Sequence, residues 1–322
     1  MGNGAAQATP EAAATRPGVR ALSLFARVLS ADVLRAHADR AWSFAELEQL
    51  LGWAPTASLR VATANLCDLG ALAHEDGRRG ATELTAAGSD LLAVADALEG
   101  WLAHSPFGPQ ELSEVAARGT VKALVAGWEA GIVQALAGRP RSIAELRPRS
   151  TEHSYPALKR RFAKLRSATL VAAVDEGARS PRYRATGLLR RAVRPLSMAI
   201  SWERRHRGED SIDQADMEAA LQLALPLIEL PPEASGNCVL AAPTTNGNGS
   251  ASELVALGLT IANGQIAATE PAGATDPDTW ALGSADAWLD AIAEGRGDEL
   301  RVGGPDATLV SVVVERLHMA II

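Results

Sequence analysis

The sequence predicts a mainly α-helical protein with an α+β C-terminal domain, and three observations lead to this fold class. One segment occurs twice, at an offset of 99 residues, in two helix-rich copies. Charge is divided unevenly among three parts of the chain. Beyond Gly208 the pattern changes to strand-like runs joined by glycine-containing turns. With 322 residues, 47% of them hydrophobic, the chain can form more than one buried core.

The internal repeat defines the first two predicted domains. SFAELEQLLG, beginning at Ser43, matches SIAELRPRS at Ser142. Further along, ELTAAGSDLL matches RATGLLRRAV at an offset of 101, and a tryptophan, Trp101 or Trp202, follows each segment. Self-similarity of this kind indicates a duplicated structural unit.

Both copies contain the same order of predicted elements. A long apolar helix, at about 22–38 or 121–137, precedes a short helix with Ser43 or Ser142 as N-cap and a glutamate three residues later. A third helix, two strands around a charged turn, and a last helix closing in tryptophan follow. Three helices and a two-stranded ribbon make a winged helix-turn-helix. In that fold the third helix enters a DNA major groove and the ribbon lies near phosphates.

The formal net charge of -7 combines three very different segments. Residues 1–138 contain 10 Lys and Arg against 15 Asp and Glu, residues 139–207 contain 18 against 5, and residues 208–322 contain 3 against 18. A short segment with so large a positive surplus is typical of a polyanion-binding surface. We therefore expect double-stranded DNA as a partner of the second copy, and a separate acidic C-terminal domain.

The third helix of the second copy has the strongest candidate DNA-binding face. Leu158, Phe162 and Leu165 recur at helical spacing and predict the buried stripe. The opposite face then presents His153, Ala157, Arg160 and Lys164. A solvated surface helix is the alternative, but such helices usually mix acids with bases, and no acid lies between residues 154 and 167.

Arginine can bind guanine through two hydrogen bonds, so Arg160 and Lys164 are assigned to base edges or adjacent phosphates. The other candidates flank this stripe and are expected to contact the DNA backbone. They are Ser154, Lys159, Arg161 and Arg166 near the helix, and Arg179, Arg182 and Arg184 on the ribbon. For each of these cations, the alternative is an ion pair with an acid elsewhere in the fold.

The first copy has no comparable cationic face. The positions 99 residues before the stripe are occupied by Ala54, Ser58, Val61 and Asn65. Its ribbon keeps Arg78 and Arg79. Because electrostatics supplies most nonspecific DNA affinity, the second copy should carry most of the binding. For the first copy we favour a packing or dimerising role, with a second reading head as the alternative.

Short motifs in the second copy resemble a known family. They are Gly127-Trp128 in the first helix, the Ile-Ala-Glu-Leu sequence at Ile143, and Thr186-Gly187 at the start of the last helix. With these motifs, residues 121–206, and the first copy over 20–104, resemble the HxlR-type winged-helix regulators of bacteria. The resemblance implies transcription regulation through DNA binding. Family members usually carry one winged helix per chain and act as homodimers, so a homodimer is a further expectation.

The C-terminal part predicts a helix at 211–225, two strands joined at Asn263-Gly264, a helix capped near Ser284, a strand and a closing helix. Trp-Ala-Leu at 280–282, Ala-Trp-Leu-Asp-Ala-Ile at 287–292 and Leu-Arg-Val-Gly-Gly at 300–304 resemble the sterol carrier protein type two domain. The resemblance implies an apolar tunnel and an apolar or aromatic small-molecule effector. The candidate ligand contacts are Trp101, Trp202, Trp280 and Trp288. For Trp101 and Trp202 the favoured interpretation is a core anchor that closes the last helix, and ligand contact is the alternative.

Catalytic, metal and cofactor motifs are missing from the sequence. It contains no Gly-x-Ser-x-Gly, no phosphate-binding glycine loop and no pair of histidines at metal-binding spacing, so we expect neither an enzyme nor a cofactor. The two cysteines, Cys67 and Cys238, form no disulfide framework, as in a reducing cytosol. No apolar run reaches the roughly 20 residues of a membrane span. A cytoplasmic, nucleoid-associated protein without a membrane partner is therefore expected.

Four segments result: a disordered tail (1–19), a first winged helix (20–110), a basic second winged helix (111–208) and an acidic sterol-carrier-like domain (209–322). The functional hypothesis is a DNA-binding transcriptional regulator that responds to an apolar small molecule. The alternative is a ligand-sequestering, drug-binding protein built from winged-helix parts and without DNA function. The positive surplus of the second copy favours the regulator.

Overall fold

The structure is a computed structural model that describes residues 18–75, 80–150, 154–175, 177–208, 214–245, 251–271 and 277–321. Within these ranges the chain is mainly helical and contains three separate β-sheets, one of them in an α+β C-terminal part. The predicted tail, up to residue 17, and the Gly/Asn-rich turn at 246–250 lie outside the described residues.

The first unit packs helices around a small antiparallel sheet with its third strand in the centre. Its helices are α1 (Val19–Phe25), α2 (Ser30–Ala36), α3 (Phe44–Leu50), α4 (Thr56–Asp68) and α5 (Ala86–Leu102). Its strands are β1 (Trp42–Ser43), β2 (Leu72–His74) and β3 (Ala81–Leu84). Leu34, Leu47 and Leu66 meet in the core that these elements enclose.

The second unit repeats this order, with the central strand again the last one in sequence. Its helices are α6 (Val115–Gly127), α7 (Ala130–Gly138), α8 (Ile143–Leu146), α9 (Tyr155–Ser167), α10 (Gly187–Arg191) and α11 (Val193–Arg207). Its strands are β4 (Arg141–Ser142), β5 (Val171–Ala173) and β6 (Arg182–Ala185). A short 3-10 helix, Arg147–Arg149, follows α8.

The predicted serine caps are present in both copies. The Ser43 hydroxyl accepts a hydrogen bond from the Glu46 backbone N–H, and the Glu46 carboxylate accepts from the Ser43 N–H. Ser142 and Glu145 form the same capping box at the start of α8. These reciprocal bonds satisfy N–H groups that a helix start otherwise leaves without partners.

The long first helix predicted in each copy is wrong, because each is two helices. In the first copy Leu29, with φ of 70°, separates α1 from α2, and a left-handed residue cannot continue an α-helix. In the second copy Trp128 adopts an extended conformation after α6. Its indole N–H donates to the Asp216 carboxylate at 2.9 Å, and its side chain is buried. These contacts hold Trp128 in the extended conformation that interrupts the helix.

The ribbon and the last helix also differ from the prediction. The extended residues that precede α3 and α8 pair with the ribbon, so the expected two-stranded ribbon has a third, two-residue strand. In the second copy the last helix is divided at Ala192 into α10 and α11, and Trp202 lies in the second part.

The third unit is a five-stranded sheet with three helices. The helices are α12 (Gln214–Ala224), α13 (Ala285–Glu294) and α14 (Ala307–Ile321), and the strands are β7 (Gly236–Thr245), β8 (Ala251–Ala262), β9 (Gln265–Pro271), β10 (Thr279–Leu282) and β11 (Arg301–Gly303). The strand order is β11-β10-β7-β8-β9, with β10 and β7 parallel and all other pairs antiparallel. Asn263 and Gly264 form the expected hairpin turn, with φ of 51° and 73°.

The first two units pack against each other in a reciprocal manner through α5 and α11. The indole N–H of Trp101 in α5 donates to the Leu188 carbonyl at 2.7 Å, and that of Trp202 in α11 donates to the Ala87 carbonyl at 2.7 Å. Donors and acceptors are both 101 residues apart, so each unit offers the same group to the other. This reciprocity is the signature of a two-fold interface, here within one chain.

Basic residues at the end of α11 connect all three units. Arg204 pairs with Asp286 at 2.8 Å and Asp290 at 2.7 Å on α13. The neighbouring Arg205 contacts Glu294 at 2.7 Å and Asp90 of α5 at 2.9 Å. Three acids of the third unit, all on α13, therefore lie against α11.

Candidate nucleic-acid interface

Helix α9 is held by the apolar stripe that the sequence predicts. Leu158, Phe162 and Leu165 are buried, and the Phe162 ring packs 5.0 Å from that of Tyr183 in β6. Helix α6 comes so close that a Cβ atom on Gly127 would lie 2.3 Å from the Leu165 δ2 carbon. The packing therefore fixes which face of α9 points outward.

The outward face of α9 is cationic. Four exposed side chains form it: Lys159, Arg160, Lys164 and Arg166. Arg160 and Lys164 lie one helical turn apart, about 6 Å along the axis. Together with Ala157 they line a groove of about 220 Å³ against the small residues of α6.

Three of these four cations have no acidic partner in the described part of the chain. Among the residues that the structure describes, Lys159, Arg160 and Lys164 form no ion pair with an acid. Arg204 and Arg205 on α11 differ, since both are bound to carboxylates. Within the described part of the chain, Lys159, Arg160 and Lys164 thus form a positive surface that no acid pairs with.

Arg161 lines the same groove but differs from its neighbours because it is paired with an acid. Its side chain is only 19% exposed, and its guanidinium is bound to the Glu129 carboxylate in the break between α6 and α7. The Ser150 hydroxyl donates to the same carboxylate at 3.0 Å. Of the two interpretations left open for Arg161, the structure has the ion pair, because the buried Glu129 needs a compensating charge.

The ribbon places two further cations on one side. Arg182 and Arg184 are exposed and alternate with the buried Tyr183 and Ala185 along β6. Arg179 is exposed in the turn before this strand. Within its described part, the ribbon thus adds positive charge to the second unit, which also contains α9.

Arg182 also acts on a neighbouring acid. Hydrogen bonds from Ser142 hold the pKa of Glu145 below its ordinary value, and the positive charges of Arg182 and Arg141 lower it further. Burial acts in the opposite direction and raises this pKa, so the hydrogen bonds and the nearby positive charges set the direction of the shift. Ser154 precedes α9 and is exposed, whereas the candidate His153 lies outside the described residues.

The corresponding face of the first unit is not cationic. On α4 the position that matches Arg160 is Val61, which is 60% exposed, and the position that matches Lys164 is Asn65. Arg60 is turned onto the Phe44 ring, 4.6 Å from its centroid. Arg78 and Arg79 of the first ribbon lie outside the described part of the chain.

Three of the four candidate ligand tryptophans are core side chains in this structure. Trp101, Trp202 and Trp288 are buried, and each indole N–H donates to a backbone carbonyl, that of Trp288 to Ala241 at 2.9 Å. Trp280 is 37% exposed and packs against Gly303. Ligand contact by these four residues stays a prediction.

The third unit has a cleft at a different place from its tryptophans. It measures about 270 Å³ and lies between α14 and the segment before β11. Leu300, Val302, Val314, His318 and Met319 are among the side chains that line it.

The sequence patterns did not single out Lys122 and Gln110. Both line a cleft of about 420 Å³ between α6, the connection from α5 to α6, and α9. The spacing of residues in the sequence does not indicate this cleft, because the cleft forms only where α6, α9 and the connection before α6 pack together. Lys164 of the candidate interface lies on the same cleft.

None of the helices in the described ranges is long and apolar enough to cross a membrane. No group of three or more His, Cys, Asp and Glu side chains in these ranges is arranged to hold a metal ion.

Comparisons with known proteins give one partial likeness. No protein-family profile matches the chain, and no curated protein sequence matches it. One solved structure is similar over part of the chain: a conserved hypothetical protein of Thermus thermophilus, described as possibly a sterol carrier protein. The identity is 15%, the match covers 30% of this chain and 85% of that one, and the TM-score is 0.23.

Proposed function

We propose that the protein is a DNA-binding transcriptional regulator and that α9 reads its operator. The observation that carries this proposal is the exposed cationic face of α9, where Lys159, Arg160 and Lys164 have no acidic partner among the described residues. A buried stripe fixes this face outward, as a reading helix requires. The HxlR-type motifs of the second unit support the same function.

The roles of the cations follow from their positions. Arg160 and Lys164 point from the middle of the helix and are assigned to base edges, where arginine can make a bidentate contact with guanine. Lys159 and Arg166 flank them and are assigned to phosphates. Arg182 and Arg184 would contact the backbone beside the reading helix.

The first unit acts as the structural partner of the second in this proposal. Its α4 has Val61 and Asn65 at the matching positions, so it offers DNA no positive face there. The reciprocal tryptophan bonds between α5 and α11 give the second unit an internal two-fold partner. A single chain then presents one strong reading head without requiring a homodimer.

The effector part of the proposal is supported by the cleft beside α14. Its apolar lining fits a small apolar or aromatic molecule. A protein that only sequesters such molecules is the competing function, and it would have no need for an uncompensated cationic helix.

Fluorescence anisotropy with a labelled duplex from upstream of the protein's own coding region tests the proposal. About six phosphate contacts predict that log affinity falls against log salt concentration with a slope of about -5. A scrambled duplex of equal length should bind at least about a thousand-fold more weakly, as specific sites usually do. Equal affinity for both duplexes, or no salt dependence, would support the sequestering protein instead.

A further inference from the structure

The largest opening beside the candidate reading helix is a cleft built from three segments of the chain. It has a volume of about 420 Å³, within the usual range for small-molecule sites. Its walls are mostly small or apolar, with Phe107 from the connection after α5, Gly119 and Ala123 from α6, and Ala168 after α9.

The wall formed by the connection is held in place at Leu112. The Leu112 N–H donates to the Glu99 carboxylate at 2.8 Å, and the Arg118 guanidinium donates to the Leu112 carbonyl at 3.2 Å. Leu112 itself is buried. Because these bonds fix the connection, Phe107 is presented at the cleft although its own side chain is 70% exposed.

Gln110 gives the cleft an unused polar group. Its side chain is 8% exposed, and its buried Oε1 atom has no hydrogen-bond partner among the described residues. Leaving a buried acceptor without a donor is costly, and native proteins rarely do so without a reason. Because Oε1 itself has less than 1 Å² of accessible surface, a rotation of the Gln110 amide toward the cleft would let a bound molecule with an N–H or O–H group supply the missing donor.

Two lysines give the cleft a positive charge. The chain contains three lysines, and two of them, Lys122 on α6 and Lys164 on α9, line this cleft. Within the described ranges neither forms an ion pair with an acid. The polar groups therefore suit a molecule that is both anionic and a hydrogen-bond donor.

We infer that this cleft is an effector site for a small, flat, apolar anion that donates a hydrogen bond to Gln110. Its apolar body lies against Phe107 and the small residues of α6, and its anionic group binds Lys122 and Lys164. This site is separate from the cleft beside α14. Its regulatory consequence rests on the proposed DNA-binding function, whereas its binding chemistry does not.

Occupation of the cleft weakens DNA binding. Lys164 belongs to both surfaces, and an anion that holds its ammonium group competes with a phosphate or base edge. Loss of one such contact lowers the salt slope of DNA binding by about 1. We expect the affinity for DNA to fall about ten-fold, a usual size for coupling between two sites.

Binding is tested first without DNA, using anilinonaphthalene sulfonate as the probe. This dye combines aromatic rings, one N–H donor and a sulfonate, and its fluorescence rises in apolar sites. The blocking variant is Gly119→Leu, because a Cβ on Gly119 meets nothing within 4 Å and the new side chain fills the cleft without a clash. Gly100→Leu is the matched control, since Gly100 is also helical and open but lies on α5 away from the cleft.

We expect saturable dye binding that weakens at least about ten-fold in Gly119→Leu and in Gln110→Leu, which removes the acceptor. Binding should be unchanged in Gly100→Leu. Ser311→Leu fills the cleft beside α14, so it should remove only the dye molecules bound there and leave the affinity of the cleft beside α9 unchanged. Unchanged binding in Gly119→Leu, or loss in Ser311→Leu alone, overturns the site.

The coupling is measured by repeating the DNA titration with saturating dye. A loss of DNA affinity of about ten-fold in wild type, absent in Gly119→Leu, supports the regulatory step. Dye binding that leaves DNA affinity unchanged overturns the coupling but not the site. If no duplex is bound at all, the proposed function fails while the dye titration still decides the site.

Discussion

At the scale of single residues, neighbouring cations of α9 have different surroundings. Arg160 is exposed without an acidic partner among the described residues, whereas Arg161 is bound to the buried Glu129. One step along a helix turns a side chain by about 100°, which here separates an outer face from an inner one. The sequence shows three consecutive cations but not this difference, because Glu129 approaches α9 only through the break between α6 and α7.

Arg161→Ala should therefore destabilise the fold, and Arg160→Ala should not. Arg161→Ala removes an ion-pair partner from the buried Glu129 carboxylate, and loss of one partner of a buried pair costs about 3 kcal/mol of unfolding free energy. An exposed cation usually changes this free energy by less than about 0.5 kcal/mol. Urea denaturation of the two variants measures the difference, and equal losses would refute the assignment of Arg161 to the interior.

Asp90 gives the fold a component of acid sensitivity. Burial opposes its ionisation, but hydrogen bonds from His206 and Arg205 outweigh burial and hold the pKa of Asp90 below its ordinary value. A lowered carboxyl pKa stabilises the fold above the ordinary pKa of the group, and this contribution disappears as pH falls through the lowered value.

The free energy of unfolding of wild type should therefore exceed that of Asp90→Asn at pH 7, by no more than about 1 kcal/mol because the pair is partly exposed. The difference should vanish at the acid end of a urea denaturation series. A difference that grows with falling pH would show that Asp90 is not ionised in the native protein.

Among the helices and strands, the sequence predicted those features that depend on residues close together in the chain. The capping boxes at Ser43 and Ser142 depend on residues three apart, so the sequence alone located the starts of α3 and α8. The breaks after α1 and α6 depend on distant contacts, such as that between Trp128 and Asp216 of α12. The apolar residues keep their helical spacing through each break, so the sequence pattern could not reveal these breaks.

The candidate site divides in the same way. Periodicity alone predicted the buried stripe of α9 and therefore its exposed face. Lys122 and Gln110 joined the site only through the packing of α6 and of the connection before it. No spacing within the sequence indicates that packing.

The α5 and α11 pair offers a symmetric test. Trp101→Phe and Trp202→Phe each keep an aromatic ring but remove one indole N–H donor, from the bond to the Leu188 carbonyl or to the Ala87 carbonyl. Each variant should lose about 0.5 to 1.5 kcal/mol of unfolding free energy, the usual net contribution of one hydrogen bond. Both should unfold in one transition, observed by circular dichroism, since the bonds join the same two units. A variant in which one unit unfolds separately would contradict the internal two-fold interface.

At the scale of the whole molecule, the acidic third unit and the cationic helix do not neutralise each other. Acids of α13 bind Arg204 and Arg205 at the end of α11. Among the described residues, no ion pair joins the third unit to Lys159, Arg160 or Lys164. Some of the basic residues of the second unit thus bind the third unit through ion pairs. The cations on the outer face of α9 are not among them.

The proposed function requires that α9, and not its repeat counterpart α4, binds DNA. Two double variants test this requirement. One carries Arg160→Ala and Lys164→Ala on α9, and the other carries Val61→Ala and Asn65→Ala at the matching positions of α4. The measurement compares their affinities for the duplex. Each base contact is worth about 1 to 3 kcal/mol. The α9 double variant should therefore lose about ten-fold or more in affinity and show a shallower salt slope, with an unchanged unfolding midpoint, while the α4 variant binds as wild type. Equal losses in the two double variants, or none in the first, would contradict the account.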